Sequence, residues 1–408
     1  MAAASRSPRC CRCEPARRAT RGRLPAPPAA RLPTAPVAAK PRPACAATLA
    51  AGTFRASTGA MPERPTRTHV FLIDGTLSRL HDGHESNVGL IYKLLASLGP
   101  NARQTVGYDP GVQGTGWGKW VTVIAGSTIN HSIEAGYATL CSRYVEGDRI
   151  ILFGYSRGAY AVRSLGGFIG RIGLLRRRHA TQRRIHRAFR YYQSPMPNDH
   201  AERFSRRYCR RDVPIQFIGA FDTVSALGIP YPFLSHLAPM ATDFHDHHLG
   251  PNVGHACHAL ALDETRTAYA PVLWERNGAG AGRLEQVWFA GAHADIGGQV
   301  GGFPAARPLS NIPLVWMLGR AESCGLLLPE NWRARFPTDA AAPAFGTWRQ
   351  NGRYFVTRAA RIAGRGPCES EHPSVQARRD ALPRYRARAR WADDGIDVTS
   401  DPDPDPAS

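Results

Sequence analysis

A serine set between glycines, Gly154-Tyr155-Ser156-Arg157-Gly158, follows the apolar run Ile150-Ile151-Leu152-Phe153 and precedes AYAVRSLGGFIGRIG, where apolar residues return at helical spacing. Strand, tight turn and helix in that order can hold a serine hydroxyl exposed on a strained turn, as a nucleophile must be held. Side chains at 154 or 158 would collide with the adjoining strand and helix, which gives both glycines a steric purpose. Serine alone is a weak nucleophile and needs a base, which in turn needs an orienting acid. Asp222 ends the strand-like IQFIGAFD and His293 follows VWFAGA. Carboxyl ends of parallel strands are where ligands meet open α/β sheets. The expected assignment is therefore Ser156 as nucleophile, Asp222 as acid and His293 as base.

Each role has a rival. Asp295, two residues past His293, could be the acid or anchor its own loop, and His372 in EHPSV is a second candidate base. A tetrahedral intermediate needs amide donors. The backbone N–H of Arg157 is one expected donor, and Gly75 in the early Asp74-Gly75-Thr76 loop is the other, with the Asp74 carboxylate bracing that loop. The stretch 244–265 gathers His245, Asp246, His247, His248, His255, Cys257 and His258. Its spacings contain neither H-E-x-x-H nor C-x-x-C, so packing is the expected role and no metal or cofactor is predicted.

The elements that must position these groups alternate. Residues 69–74, 104–109, 150–153, 215–222 and the start of 284–298 read as strands. Residues 87–98, 128–144, the segment after Ser156, 176–192 and 308–327 read as helices. Asn87 is the expected cap of the first helix and Gly99-Pro100 its stop. Residues 110–120 form a glycine-rich loop, and 231–283 shows few regular signals. Within it the apolar stretch 231–240 could be a lid or ordinary packing. The alternation predicts an α/β fold, α/β-hydrolase-like, with a mainly parallel sheet and helices on both faces.

The net charge of +20 is unevenly placed: residues 1–60 hold eleven Lys and Arg against one Glu, half of the total. That Ala/Pro/Arg leader has too few large apolar residues for a core and is expected to be disordered, with Met61 as an alternative start. The catalytic domain is placed at 62–392, and the acidic, proline-alternating 393–408 as a disordered tail. Because half of the charge sits in the leader, nucleic acid is not an expected partner. The basic helix 176–192, with Ile185, Phe189 and Tyr192 interleaved, reads first as solvated and amphipathic and second as a peripheral membrane contact. Nine cysteines, five of them scattered singly beyond the leader, suit a reducing, cytoplasmic setting.

Several blocks in order resemble the DUF2235 group of α/β hydrolases, which includes the Tle1-like catalytic domains of type VI secretion phospholipase effectors. They are FLIDGTLS, with Ile73 in an apolar slot and Ser78 where asparagine is usual, Tyr108-Asp109-Pro110-Gly111-Val112, and GYSRGAY. FDTVSALGIP has Phe221 for tryptophan, and HALALDETR (258–266), FAGAHADIGG and HPSV (372–375) follow. The resemblance spans about residues 68–391. It implies a serine esterase with a Ser-Asp-His triad at Ser156, Asp222 and His293, acting on phospholipid or another lipid ester. It also implies an effector exported without a signal peptide, while no residue pattern identifies a secretion or immunity partner. The reading from another class is a non-catalytic binding or regulatory protein on a hydrolase scaffold.

Overall fold

Side chains in the central strands are apolar on both faces, so both faces must be covered. In β1 (Thr68–Ile73), Phe71 and Ile73 enter one core while Val70 and Leu72 enter the other. In β3 (Arg149–Tyr155), Ile150 and Leu152 oppose Ile151, Phe153 and Tyr155 in the same way. Each such side chain contributes about 1.5–3 kcal/mol on burial. The computed structural model describes residues 64–101, 103–111, 127–194, 199–224, 248–275, 283–349, 352–353, 355–366 and 368–392. The leader, most of the 110–120 loop, the stretch 231–240 and the acidic tail lie outside the described residues.

In chain order the elements run β1, α1 (Asn87–Ala96), β2 (Gln104–Asp109), α2 (Ser127–Arg143), β3, α3 (Arg157–Ile172), β4 (Leu174–Leu175), α4 (Gln182–Gln193), α5 (Asp199–Tyr208) and β5 (Cys209–Arg210). They continue with β6 (Ile215–Phe221), β7 (Val253–Ala261), β8 (Leu284–Phe289), α6 (His293–Gly297), α7 (Arg307–Ser323), β9 (Ile362–Ala363), β10 (Glu369–Glu371), α8 (Pro373–Ala381) and β11 (Arg390–Trp391). Seven strands form one sheet in the order β10-β8-β7-β6-β3-β1-β2. Every pairing in it is parallel. Helices α2, α3 and α4 pack on one face, and α1, α7 and α8 on the other. This is the expected α/β-hydrolase-like arrangement. Ser156 and Asp222 directly follow β3 and β6, and His293 lies just past β8, so all three sit at the carboxyl edge.

Four sequence readings change. The cap of α1 is Ser86, whose hydroxyl accepts from the Gly89 amide at 2.9 Å; Asn87 is already helical. The basic segment 176–192 is not one helix. Leu174 and Leu175 pair with Cys209 and Arg210, which leaves a 3₁₀ turn at Arg177–His179 before α4 starts at Gln182. The stretch 231–283 contains a central strand, β7, whose polar His255 and His258 masked its pattern. The irregular end supplies β10 to the sheet and α8 to its surface.

Candidate active site

Ser156 is the turn residue between β3 and α3, with φ 57° and ψ −122°. A non-glycine backbone there stores on the order of 1–3 kcal/mol, and the surroundings must hold it. The Ser156 amide donates to Phe221 O at 2.9 Å, which ties the elbow to the adjacent strand. A Cβ on Gly154 would lie 2.3 Å from Gly158 O, and one on Gly158 would lie 2.2 Å from Ile73 O. The glycines are therefore imposed by close backbone approach.

Ser156, His293 and Asp222 are joined by hydrogen bonds. The Ser156 hydroxyl is 2.9 Å from His293 Nε2, and His293 Nδ1 is 2.6 Å from Asp222 Oδ2. The network assigns the proton to Nδ1, donating to the carboxylate, and leaves Nε2 to accept from the hydroxyl. Burial pushes the imidazole below its ordinary 6.5, although the Asp222 hydrogen bond and charge oppose this. At neutral pH it is therefore uncharged, as a base must be. The Tyr155 and Tyr269 rings lie 4.9 and 4.7 Å from the imidazole.

Asp222 is fully buried and also has an unusual backbone, with φ 40°. Burial alone would raise its pKa, but Arg361 and the His293 bond outweigh that and hold it well below the carboxylate range. Arg361 donates from Nη1 to Oδ1 at 2.6 Å and from Nη2 to Oδ2 at 3.0 Å, and the Ala261 amide adds 3.0 Å to Oδ1. Sequence reasoning missed Arg361, which lies 139 positions from Asp222 in one of many arginine-rich stretches. It also assigned no role to Glu264, which accepts from the His293 amide at 3.2 Å and is clamped by Arg266 at 2.6 and 2.8 Å.

The rivals fall elsewhere. Asp295 accepts from the amides of Ala292, Phe345 and Gly346 at 2.9, 2.6 and 3.0 Å, so it anchors the loop. His372 caps α8 and bonds Ser374, and burial lowers it to about 4. Asp74 accepts from Gly75, Ser86 and Tyr108, bracing its loop. The Gly75 amide donates to Asp74 Oδ1 at 2.7 Å. Arg157 opens α3, where backbone amides point outward. A small cleft beside it is lined by Asp74, Thr76, Gly111, Ser132 and Gly158. Thr76 Oγ1 is buried and has no hydrogen-bond partner among the described residues.

The histidine-rich stretch does not converge as one cluster. His245, Asp246 and His247 lie outside the described residues, as does the lid candidate 231–240. His258 is structural: it accepts from the Thr223 amide at 3.0 Å, and burial lowers it to about 3. Among the described residues His255, Cys257 and Glu285 are the group whose donor atoms lie close enough to share a metal ion. No helix of the described residues is long and apolar enough to cross a membrane.

A family model described as T6SS, phospholipase effector Tle1-like, catalytic domain matches residues 67–320. Among curated proteins, the uncharacterized protein YEL023C of Saccharomyces cerevisiae is 29% identical over 223 residues, covering 48% of this chain and 31% of that protein. A solved structure of an uncharacterized protein from Pseudomonas aeruginosa aligns at 17% identity and a TM-score of 0.39, covering 67% of this chain and 49% of that one. The Tle1 effector bound to the VgrG spike of the type 6 secretion system aligns at 15% identity and a TM-score of 0.34, covering 58% and 52%. The chain thus spans about a third of the curated relative and about half of each of these two structures.

Proposed function

This chain belongs to the family of Tle1-like phospholipase effector catalytic domains, and we propose that it hydrolyses carboxylic esters of phospholipids or related lipids with Ser156 as nucleophile. The observation that carries this reading is the hydrogen-bonded chain from Asp222 through His293 to Ser156 on a strained elbow. The Ser156 hydroxyl attacks the acyl carbonyl while His293 Nε2 takes its proton, forming a tetrahedral intermediate. The Arg157 amide and, in place of Gly75, the Thr76 hydroxyl hold its oxyanion. His293 then protonates the leaving alcohol, and water, deprotonated by the same imidazole, releases the acid from the acyl-serine. Asp222 stays ionised beside Arg361 and steadies the imidazolium that forms in each half.

The catalytic domain is taken as residues 62–392, because Arg361 and the Phe345 and Gly346 amides lie beyond the matched span yet hold Asp222 and Asp295. Export as a type VI effector rests on the family description alone, and secretion-apparatus-dependent release into the medium is its test. The enzymatic reading is tested with p-nitrophenyl esters and defined phospholipid vesicles. Fatty-acid release by the wild type and none by Ser156→Ala is expected, and undiminished release by the variant would overturn the assignment.

A further inference from the structure

At the sheet edge opposite Ser156, three side chains with different donor atoms converge. His255 and Cys257 are two residues apart on β7 and so share a face. Glu285 on β8 is the register partner of Cys257. His255 Nε2 is 2.9 Å from Glu285 Oε1, and the Cys257 sulfur is 4.0 Å from the same oxygen. One donor atom from each residue lies within 4.8 Å of the other two. Arg320 on α7 grips the second carboxylate oxygen, Oε2, at 2.8 Å and so leaves Oε1 turned toward the imidazole and thiol.

We infer that His255, Cys257 and Glu285 bind a divalent metal ion, zinc being the expected one. A nitrogen, a sulfur and an oxygen make a mixed set suited to zinc. With zinc–ligand bonds of about 2.0–2.3 Å, tetrahedral ligand atoms stand roughly 3.3–3.7 Å apart, and the separations here bracket that range. Small side-chain adjustments close the triangle, because two of its edges are 2.9 and 4.0 Å and all three lie within 4.8 Å. The ion displaces the Cys257 thiol proton to solvent, and one thiolate with one carboxylate neutralises its charge. The His255 and Glu285 side chains are 24% and 28% exposed, which provides an entry path and leaves the fourth position to water. The sequence carries no linear metal motif for this set, because the third ligand comes from a neighbouring strand. The ion would bridge β7 and β8 and, through Arg320, α7.

The test uses the full chain, stripped with chelator and titrated with Co²⁺ and Zn²⁺. Cobalt bound to Cys257 gives a thiolate-to-metal charge-transfer band in the near ultraviolet, which an ion pair alone cannot produce. Cys10, Cys11, Cys13 and Cys45 contribute the same background to every variant, so the readout is the difference from wild type. Wild type is expected to take up one equivalent more than His255→Ala or Cys257→Ser, and Glu285→Gln to hold that equivalent at least about tenfold more weakly. Identical stoichiometry and spectra in wild type and His255→Ala would overturn the proposal. His255 is partly exposed, so this variant stays decisive if the buried Cys257→Ser does not fold.

Discussion

The two edges of the sheet carry the same pair of groups in different settings. At the carboxyl edge His293 meets Asp222 at 2.6 Å, and Arg361 grips the carboxylate; at the amino edge His255 meets Glu285 at 2.9 Å, and Arg320 grips it. The first carboxylate is fully buried, whereas the second is 28% exposed beside an arginine that is 49% exposed. The third member differs too: a hydroxyl on a strained turn in one, a thiol flat in a strand in the other. A histidine–carboxylate–arginine trio therefore specifies no chemistry by itself. On the proposed readings, desolvation and the third atom separate a proton relay from a metal-ligand set.

The largest effect that tests this contrast is at the hydroxyl. Ser156→Ala is expected to lower kcat/KM for ester hydrolysis by at least about 10³-fold with the fold intact, measured by ester turnover and circular dichroism. Asp222→Asn should lower kcat by a comparable factor, about 10³–10⁴, because the amide no longer holds the Nδ1 proton in place. The arginines then separate the two edges directly. Arg361→Ala strands a buried carboxylate and should cost about 3–5 kcal/mol in denaturant unfolding. Arg320→Ala loosens a solvated pair and should cost about 0–1 kcal/mol. Equal costs would break the comparison.

Proton linkage supplies a further, pH-dependent set of effects. The pKa of His293 is lowered, so the neutral base persists below 6.5, and kcat/KM should decline on the acid side only as pH falls through that lowered value. In Arg361→Lys a looser cation should let this acid limb move. Acid stability responds as well. His258 and His372 titrate at about 3 and about 4 when folded, against 6.5 unfolded. The unfolded chain binds more protons between those values, so their contribution is present above 6.5 and is lost as pH falls toward 4 for His372 and toward 3 for His258. A melting temperature that does not fall over that interval would remove these histidines from the account.

Much of the fold was legible because its signals are local. Apolar runs ending in Asp or Gly, a serine between two glycines, and helical spacing after it each lie within a dozen residues. The β7 strand was not legible, since Gly254, His255 and His258 break its apolar pattern, and the two histidines find partners at Glu285, Gln286 and the Thr223 amide that lie far away in sequence. The segment 176–192 misled because its charge pattern continues across a 3₁₀ turn that the β4–β5 pairing imposes. At the candidate site, strand-end position and order point to Ser156, Asp222 and His293, whose side chains are joined by hydrogen bonds. The places of Asp295 and His372 depend on amide and capping partners that no local pattern shows.

Residue order alone determines the alternation of elements, the elbow that presents Ser156 and the family to which the chain belongs, because each depends on neighbours along the chain. Tertiary structure alone decides that Arg361 keeps Asp222 charged, that Glu264 supports the His293 loop, and that Glu285 joins His255 and Cys257. Those contacts link residues from 28 to 139 positions apart. Strand register and the return of the chain after residue 340 bring them together, and no spacing within one segment encodes either.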